Sequence, residues 1–157
     1  MKNQFFAASS AMERPILKAT PIPAYTDKIA LHQLVDQLLN GLQPLAMKRG
    51  NIILNGIPKE LMVLGEENLL AYVLWNLSVS AIGSTKNECI HIGVVVKADR
   101  TIICLTGVGA YAYHMISSEY RKLQDAAERL GGNICLEQDG IKGDSISFCL
   151  ANSQCAA

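Results

Sequence analysis

The stretch TIICLTGVGAYA, residues 101–112, decides the fold because a strand-like run meets a glycine turn there. Its first five residues are mostly β-branched and apolar, which predicts a buried strand. Gly107 and Gly109 then break the strand ahead of a helix. Such a turn either lets the backbone approach a bound phosphate or only supplies a positive φ that the chain needs.

Composition predicts a single packed domain rather than a disordered chain. The chain has 157 residues, of which 50% are hydrophobic and 18% are charged. Fourteen basic residues balance fourteen acidic ones. This neutrality argues against nucleic acid or an anionic membrane as a partner, because both select clustered lysine and arginine.

Location and redox state follow from what the sequence lacks. No apolar run approaches the roughly 18 residues of a membrane helix, and the first residues lack a signal-peptide core, so we expect a cytoplasmic protein. The five cysteines form no C-x-x-C pair and have no histidine at ligand spacing, which indicates neither a zinc site nor a redox pair. We expect reduced thiols buried as small hydrophobic residues. They are Cys89, Cys104, Cys135, Cys149 and Cys155.

Periodicity along the chain predicts alternating helices and hairpins. Helical spacing covers residues 31–49 and 67–83, and a third helix is defined by residues from Leu123 to Leu130, which stops at Gly131. Hairpins are predicted for residues 51–55 with 61–64, 89–96 with 101–105, and 133–137 with 145–150. The expected fold class is α/β (α+β): a two-layer sandwich whose mixed, mostly antiparallel sheet has about three helices on one face. Residues 1–24 are predicted as an extension, 25–152 as the domain and 153–157 as a tail.

A dinucleotide-binding unit is a poor match to residues 101–137. The strand, Gly107, Gly109, Ala112 and the later Glu137 imitate the glycine fingerprint and its ribose-binding acid. Residues 110–117 make a poor helix start, although the fingerprint needs a helix directly at the glycines. Nothing upstream alternates strand and helix as a doubly wound sheet requires.

Four segments in succession resemble another family. They are LHQLVDQLLNGLQPLAMKRG (31–50), LMVLGEENLLAYVLWNLSVSAIGST (61–85), ICLTGVG (103–109) and RLGGNICLEQDGIKGDSISFCL (129–150). In this order they resemble the ATP-binding domain of sensor histidine kinases, a member of the GHKL superfamily. The resemblance implies that fold over residues 25–150 and a nucleotide pocket.

The resemblance also assigns roles to individual residues, and most depart from the family pattern. Asn76 matches the first asparagine of the N box, whereas Ser80 stands where the family has a magnesium-binding asparagine. Leu105 replaces the aspartate that accepts a hydrogen bond from adenine. Gly107 and Gly109 match the G1 box. Ser145 is matched to the strand threonine that accompanies the aspartate.

Other parts of a working kinase are absent from the sequence. Residues 110–118 contain no glycine, although the family has a glycine-rich lid there that holds the phosphates. None of His32, His91 and His114 has the context of a phosphoacceptor. We therefore expect no catalytic residues, no metal site and a vestigial nucleotide pocket, with Mg-ATP as the cofactor only if that pocket still functions.

Three functional hypotheses remain open. The first is a degenerate kinase-like domain of a two-component signalling system that binds ATP weakly or not at all and contacts a protein, such as a histidine kinase or response regulator. The second is a divergent kinase that still phosphorylates a partner. The third is a pocket reshaped for another small ligand. Tyr111, Tyr113, His114 and Met115 are candidate partner contacts, and the alternative is that they fill the empty pocket. The sequence leaves the oligomeric state open.

Overall fold

The computed structural model describes residues 28–109, 112, 116, 119–139 and 143–151. The predicted extension and tail lie outside these residues. The described elements, in chain order, are β1 (Lys28–Ala30), α1 (Leu31–Lys48), β2 (Ile52–Asn55), β3 (Met62–Leu64), α2 (Glu67–Gly83), β4 (Cys89–Val96), β5 (Arg100–Val108), α3 (Tyr120–Arg129), β6 (Asn133–Asp139) and β7 (Gly143–Ala151).

The strands form a five-stranded sheet in the order β2-β4-β5-β7-β6 and a separate pair of β1 with β3. β2 runs parallel to β4, and the other pairs are antiparallel. The helices cover one face, because α1 contacts β2, α2 contacts β5, and α3 contacts β6 and β7. The predicted two-layer α+β sandwich with a mixed, mostly antiparallel sheet and three helices is confirmed.

The helices form where apolar residues recur at helical spacing. α1 buries one stripe of residues, from Leu31 to Ala46, and the chain turns after the helix at Gly50, whose φ is +71°. α2 is apolar on most sides because it contacts α1, α3 and β5. α3 is amphipathic and ends before Gly131, whose φ is +83°. Among the described residues no helix is both long and apolar enough to span a bilayer.

The predicted hairpin of residues 51–55 with 61–64 is wrong. β2 pairs in parallel with β4, and the α2 crossover lies between them in the sequence. β3 pairs instead with β1, which the sequence analysis did not predict. The turn between β2 and β3 therefore does not join paired strands, and side chains hold it in place. The Ile57 N–H donates to Asn55 Oδ1, and the Ile57 carbonyl lies 2.6 Å from His32 Nδ1. The predicted hairpins β4–β5 and β6–β7 are confirmed.

The four cysteines in the described part of the chain are free, as expected, but they are not buried. Strand alternation places the core residues Ile103, Leu105, Ile146 and Phe148 under the helices, so the neighbouring positions in each strand face the other way. Cys89 and Cys135 are exposed, and Cys104 and Cys149 are half-buried. The prediction of buried thiols is therefore wrong for the isolated chain. Cys155 lies outside the described residues.

Candidate functional site

The glycine turn after β5 makes close contacts with the protein's own backbone. The β5–β7 register shifts between Thr106 and Val108, and Gly107 in this bulge has a φ of +82°. A Cβ on Gly107 would overlap the carbonyl oxygen of Cys89 on the neighbouring strand. A Cβ on Gly109 would overlap the carbonyl oxygen of Ser84. Both glycines are thus required for packing, whether or not a ligand binds.

A hydrogen-bond network ties this turn to the end of α2. The Gly109 N–H donates to Ser84 Oγ over 2.9 Å, and Ser84 Oγ itself donates to the Ala81 carbonyl over 2.8 Å. The Gly109 amide therefore has a protein acceptor. In the family that the sequence resembles, this turn borders the nucleotide.

Two side chains that the sequence analysis missed hold the same helix end. Arg49 Nε donates to the carbonyls of Ile82 and Thr85, each over 3.0 Å. The buried Asn51 amide donates to these two carbonyls over 3.0 and 3.1 Å, and Asn51 Oδ1 accepts the Glu88 N–H over 3.1 Å. These bonds satisfy carbonyl groups that a helix end leaves open. The sequence offered one signal for this role: Asn51 is a polar residue at the start of the strand predicted for residues 51–55.

Leu105 lies in the centre of the core. It is 1% exposed and faces the helices. Its neighbours across the sheet are Ile92 on β4 and Ile146 on β7, which are also buried. The position that holds the adenine-binding aspartate in the resembled family is thus apolar, and so are the positions on both sides of it.

Ser145 is not beside Leu105, so the predicted pairing of these two residues is wrong. Ser145 lies opposite Thr106 on β5 and Glu137 on β6, whereas Ile146 lies opposite Leu105. Because side chains alternate along a strand, Ser145 and Leu105 point to opposite faces of the sheet. The helix-facing partner of Leu105 is an isoleucine without a hydroxyl group.

Asn76 and Ser80 share one face of α2, four residues apart. The half-buried Asn76 donates its amide N–H to the Tyr72 carbonyl in its own helix over 2.8 Å. Ser80 is buried. Within the described residues, no group of histidine, cysteine, aspartate and glutamate side chains is arranged to hold a metal ion.

The short connection after Gly109 contributes to the core at the two positions that are described. Ala112 and Ile116 are 3% and 1% exposed and belong to the main hydrophobic cluster. The Ala112 N–H donates to the Gly109 carbonyl over 3.0 Å. The candidate contacts Tyr111, Tyr113, His114 and Met115 lie outside the described residues. Part of the connection therefore covers the core next to the glycine turn.

A cleft of about 290 Å³ lies on another part of the surface, between β1, α1 and β3. Lys28, Gln33, Gln37 and Glu67 supply its polar groups, and Ile29, Leu34 and Met62 supply apolar ones. None of the six predicted site residues lines it.

Two titratable side chains outside the glycine turn, His32 and Cys104, have distinctive surroundings. His32 lies 2.6 Å from the Ile57 carbonyl through Nδ1 and 3.3 Å from Asp36 Oδ2 through Nε2, so it joins the start of α1 to the end of β2. Burial, and secondarily the carboxylate of Glu137, raise the pKa of the Cys104 thiol. A raised thiol pKa lowers the thiolate fraction, which makes this cysteine a poor nucleophile at neutral pH.

Comparison with solved structures identifies the fold. The chain is similar to the catalytic domain of histidine kinase ThkA, with a TM-score of 0.67 and 17% identity over 81% of this chain and 95% of that one. It is also similar to histidine kinase AdeS of Acinetobacter baumannii, with a TM-score of 0.68 and 12% identity over 83% of this chain and 69% of that one. A third similar structure is ThkA in complex with the response regulator TrrA, with a TM-score of 0.60 and 15% identity over 81% of this chain and 42% of that one.

These similarities confirm the predicted resemblance at the level of the fold: the chain has the fold of a histidine kinase catalytic domain. Identities of 12–17% show the fold alone. No known family profile matches the sequence, and no curated protein matches it.

Proposed function

We propose that this domain is a degenerate histidine-kinase-like module that binds ATP weakly or not at all and acts through protein contacts in signalling. The observation that carries the proposal is Leu105, which is buried between Ile92 and Ile146 where the resembled family places an aspartate. None of these three side chains can accept a hydrogen bond from an adenine amino group.

The energetic consequence is a large loss of adenine affinity. A hydrogen bond to a charged group contributes roughly 1.5–3 kcal/mol, and its loss also leaves a buried donor without an acceptor. The loss corresponds to roughly 10- to 150-fold in affinity before that second cost. The residue opposite Leu105, Ile146, is apolar and offers no hydroxyl group in compensation.

The residues present are a poor fit for a magnesium–triphosphate group. The Asn76 amide donates within its own helix, and the second asparagine of the family motif is replaced by Ser80. Magnesium prefers several oxygen ligands in near-ideal octahedral geometry. From this motif the Asn76 Oδ1 is still an oxygen ligand, but the second amide oxygen is replaced by the shorter Ser80 hydroxyl group. The Gly109 amide is bonded to Ser84. We therefore derive no phosphoryl-transfer step through this site.

Direct titration tests the proposal. Isothermal calorimetry with Mg-ATP and with a non-hydrolysable analogue is expected to give no binding or millimolar binding, while an intact histidine kinase domain serves as the positive control. The matched variant is Ser80→Ala, which should change nothing if the pocket is vestigial. Micromolar, magnesium-dependent binding by the unmodified chain would overturn the proposal.

A functional kinase is the second candidate, because Asn76 and Ser80 still share one face of α2. It predicts the opposite results: Ser80→Ala lowers nucleotide affinity, and labelled phosphate passes from ATP to a partner protein. A pocket reshaped for another small ligand predicts a thermal shift with a metabolite and none with ATP.

The partner class that the fold favours belongs to two-component signalling. One structurally similar kinase is seen in complex with a response regulator. We propose a histidine kinase or a response regulator as the partner here. Co-purification of the tagged full chain with candidate regulators, with and without ATP, tests this. An ATP-independent complex is expected.

A further inference from the structure

The outer face, meaning the side of the five-stranded sheet away from α1, α2 and α3, has a central strip of apolar and cysteine side chains. Polar side chains border this strip, at His91, Thr106, Asn133 and Ser145. The middle of the outer face is formed by the side chains that alternate with the core residues of four strands. These are Val95, Ile102, Cys104, Cys135, Ser147 and Cys149. At the β2 edge the outward residues are Ile52 and Leu54, which are 61% and 46% exposed, and Val95 on β4 is 50% exposed.

Charged positions on the outer face lie at its two ends. Arg100 begins β5 at one end. Glu137 lies three cross-strand rows away on β6. An antiparallel sheet with one face in water normally alternates apolar and charged residues along each strand. Here the charged and polar positions lie at the ends and edge of the face and leave an apolar strip between them. An exposed apolar patch with a polar rim marks an interaction surface.

We infer that the outer face binds a second copy of this chain, which forms a two-fold symmetric dimer by packing sheet against sheet. A two-fold interface needs one patch that is complementary to itself. With the axis running across the strands, each copy turns its Arg100 end toward the Glu137 end of the other. The basic end then meets the acidic end twice, and the apolar middle of one sheet meets that of the other.

The size of the outer face suits such a dimer. Five strands spaced about 4.8 Å apart span roughly 24 Å, and six residues along a strand span roughly 20 Å. Side-chain relief makes the accessible area larger than this rectangle. The accessible area of the outer face is therefore of the order of the ~800 Å² that each partner contributes to a standard interface. Two such faces would pack at the ~10 Å separation of a β-sandwich.

The cysteine positions support a covered face. Cys89, Cys104, Cys135 and Cys149 all lie on outward positions of their strands. Unpaired cysteine is among the most buried residue types in folded proteins. Placing four of them on one face is unusual for a solvated surface and ordinary for an interface.

The test measures mass and thiol protection together on the full chain. Analytical ultracentrifugation over a wide concentration range should show a monomer–dimer equilibrium. Site-resolved alkylation should be slow at Cys104, Cys135 and Cys149 at high concentration and faster on dilution. Leu54→Lys and Val95→Lys should each raise the dimer dissociation constant by about tenfold or more, because each places a cation in an apolar contact.

Two controls make the result specific. Met62→Lys changes an equally exposed residue, 47% against 46% for Leu54, on β3 outside the outer face, and should leave the dimer unchanged. Arg100→Glu should weaken the dimer, and adding Glu137→Arg should restore it.

Several outcomes would overturn the inference. The chain could remain monomeric with concentration-independent alkylation, or a dimer could form that ignores Leu54→Lys and Val95→Lys. Thiol protection that is independent of concentration and disappears when residues 1–24 are removed would assign the outer face to the extension instead.

Discussion

Leu105 on β5 lies directly opposite Ile146 on β7, and both side chains are buried beneath the helices. The resemblance assigns an aspartate to the position of Leu105, and the residue opposite that position is apolar as well. The alternation of the strands makes the pair part of the core rather than the wall of a polar pocket. Restoring a carboxylate here is therefore a test of both stability and binding.

Leu105→Asp should destabilise the domain without restoring ATP binding. It removes a fully buried leucine and buries a charge with apolar neighbours, so the free energy of unfolding should fall by roughly 3–5 kcal/mol. Urea denaturation measures this loss, and calorimetry tests binding. Met62→Asp, at an exposed position, is the control and should cost far less. A stable Leu105→Asp variant that gains ATP affinity would show that a nucleotide cavity persists.

Gly107→Ala should be strongly destabilising for a backbone reason. Gly107 has a φ of +82°, and its Cβ would overlap the Cys89 carbonyl, so alanine is both strained and crowded. We expect a loss of about 2 kcal/mol or more. The control is Gly93→Ala on β4, where the nearest side-chain atoms, in His91, would lie 3.7 and 3.8 Å from the new Cβ. Equal losses at both positions would contradict the argument.

The sequence predicts the helices well because their signals are local. Acidic residues near Glu67 and a glycine at Gly83 delimit α2, and the observed helix runs between these two residues. The partner of β2 could not be predicted in this way. Pairing with β4 requires the α2 crossover, and no feature of residues 51–64 distinguishes that arrangement from a hairpin.

In the candidate site, too, the sequence predicts local features but not contacts between residues that are far apart in the chain. Gly107 and Gly109 form a tight turn, as the sequence indicates. Ser145 was matched one residue away from the position opposite Leu105, and a shift of one residue moves a side chain to the other face of the sheet. Asn51 was missed because its partners are 31 to 37 residues away in the sequence.

Asn51→Ala should destabilise the domain more than Asn76→Ala. Asn51 is 4% exposed, and its loss leaves the carbonyls of Ile82 and Thr85 with fewer donors and the Glu88 N–H without its acceptor. Each such loss costs about 1–3 kcal/mol. The Asn76 side chain donates one hydrogen bond, to the Tyr72 carbonyl in its own helix. Replacing Asn76 should therefore lower the free energy of unfolding by about 0.5 kcal/mol or less. Thermal unfolding of the two variants gives the comparison.

The Asn76 result also distinguishes the two functional proposals. In a working nucleotide site, Asn76→Ala would abolish binding at little cost in stability. In the vestigial site, it should change neither quantity appreciably. Nucleotide affinity that falls with Asn76→Ala would therefore favour the kinase proposal.

Glu137→Gln should speed the alkylation of Cys104 at mildly alkaline pH. Burial and then the Glu137 carboxylate raise the pKa of this thiol, so removing the negative charge should move its alkylation profile toward lower pH. The sign follows because a nearby anion disfavours the thiolate, which is the reacting form. Burial remains, so the shift should be partial. Site-resolved mass spectrometry of the monomeric Val95→Lys background, with and without Glu137→Gln, isolates this effect from dimer protection. Glu88→Gln is the matched control. A profile that moves equally in both variants would mean that general charge, rather than Glu137, controls Cys104.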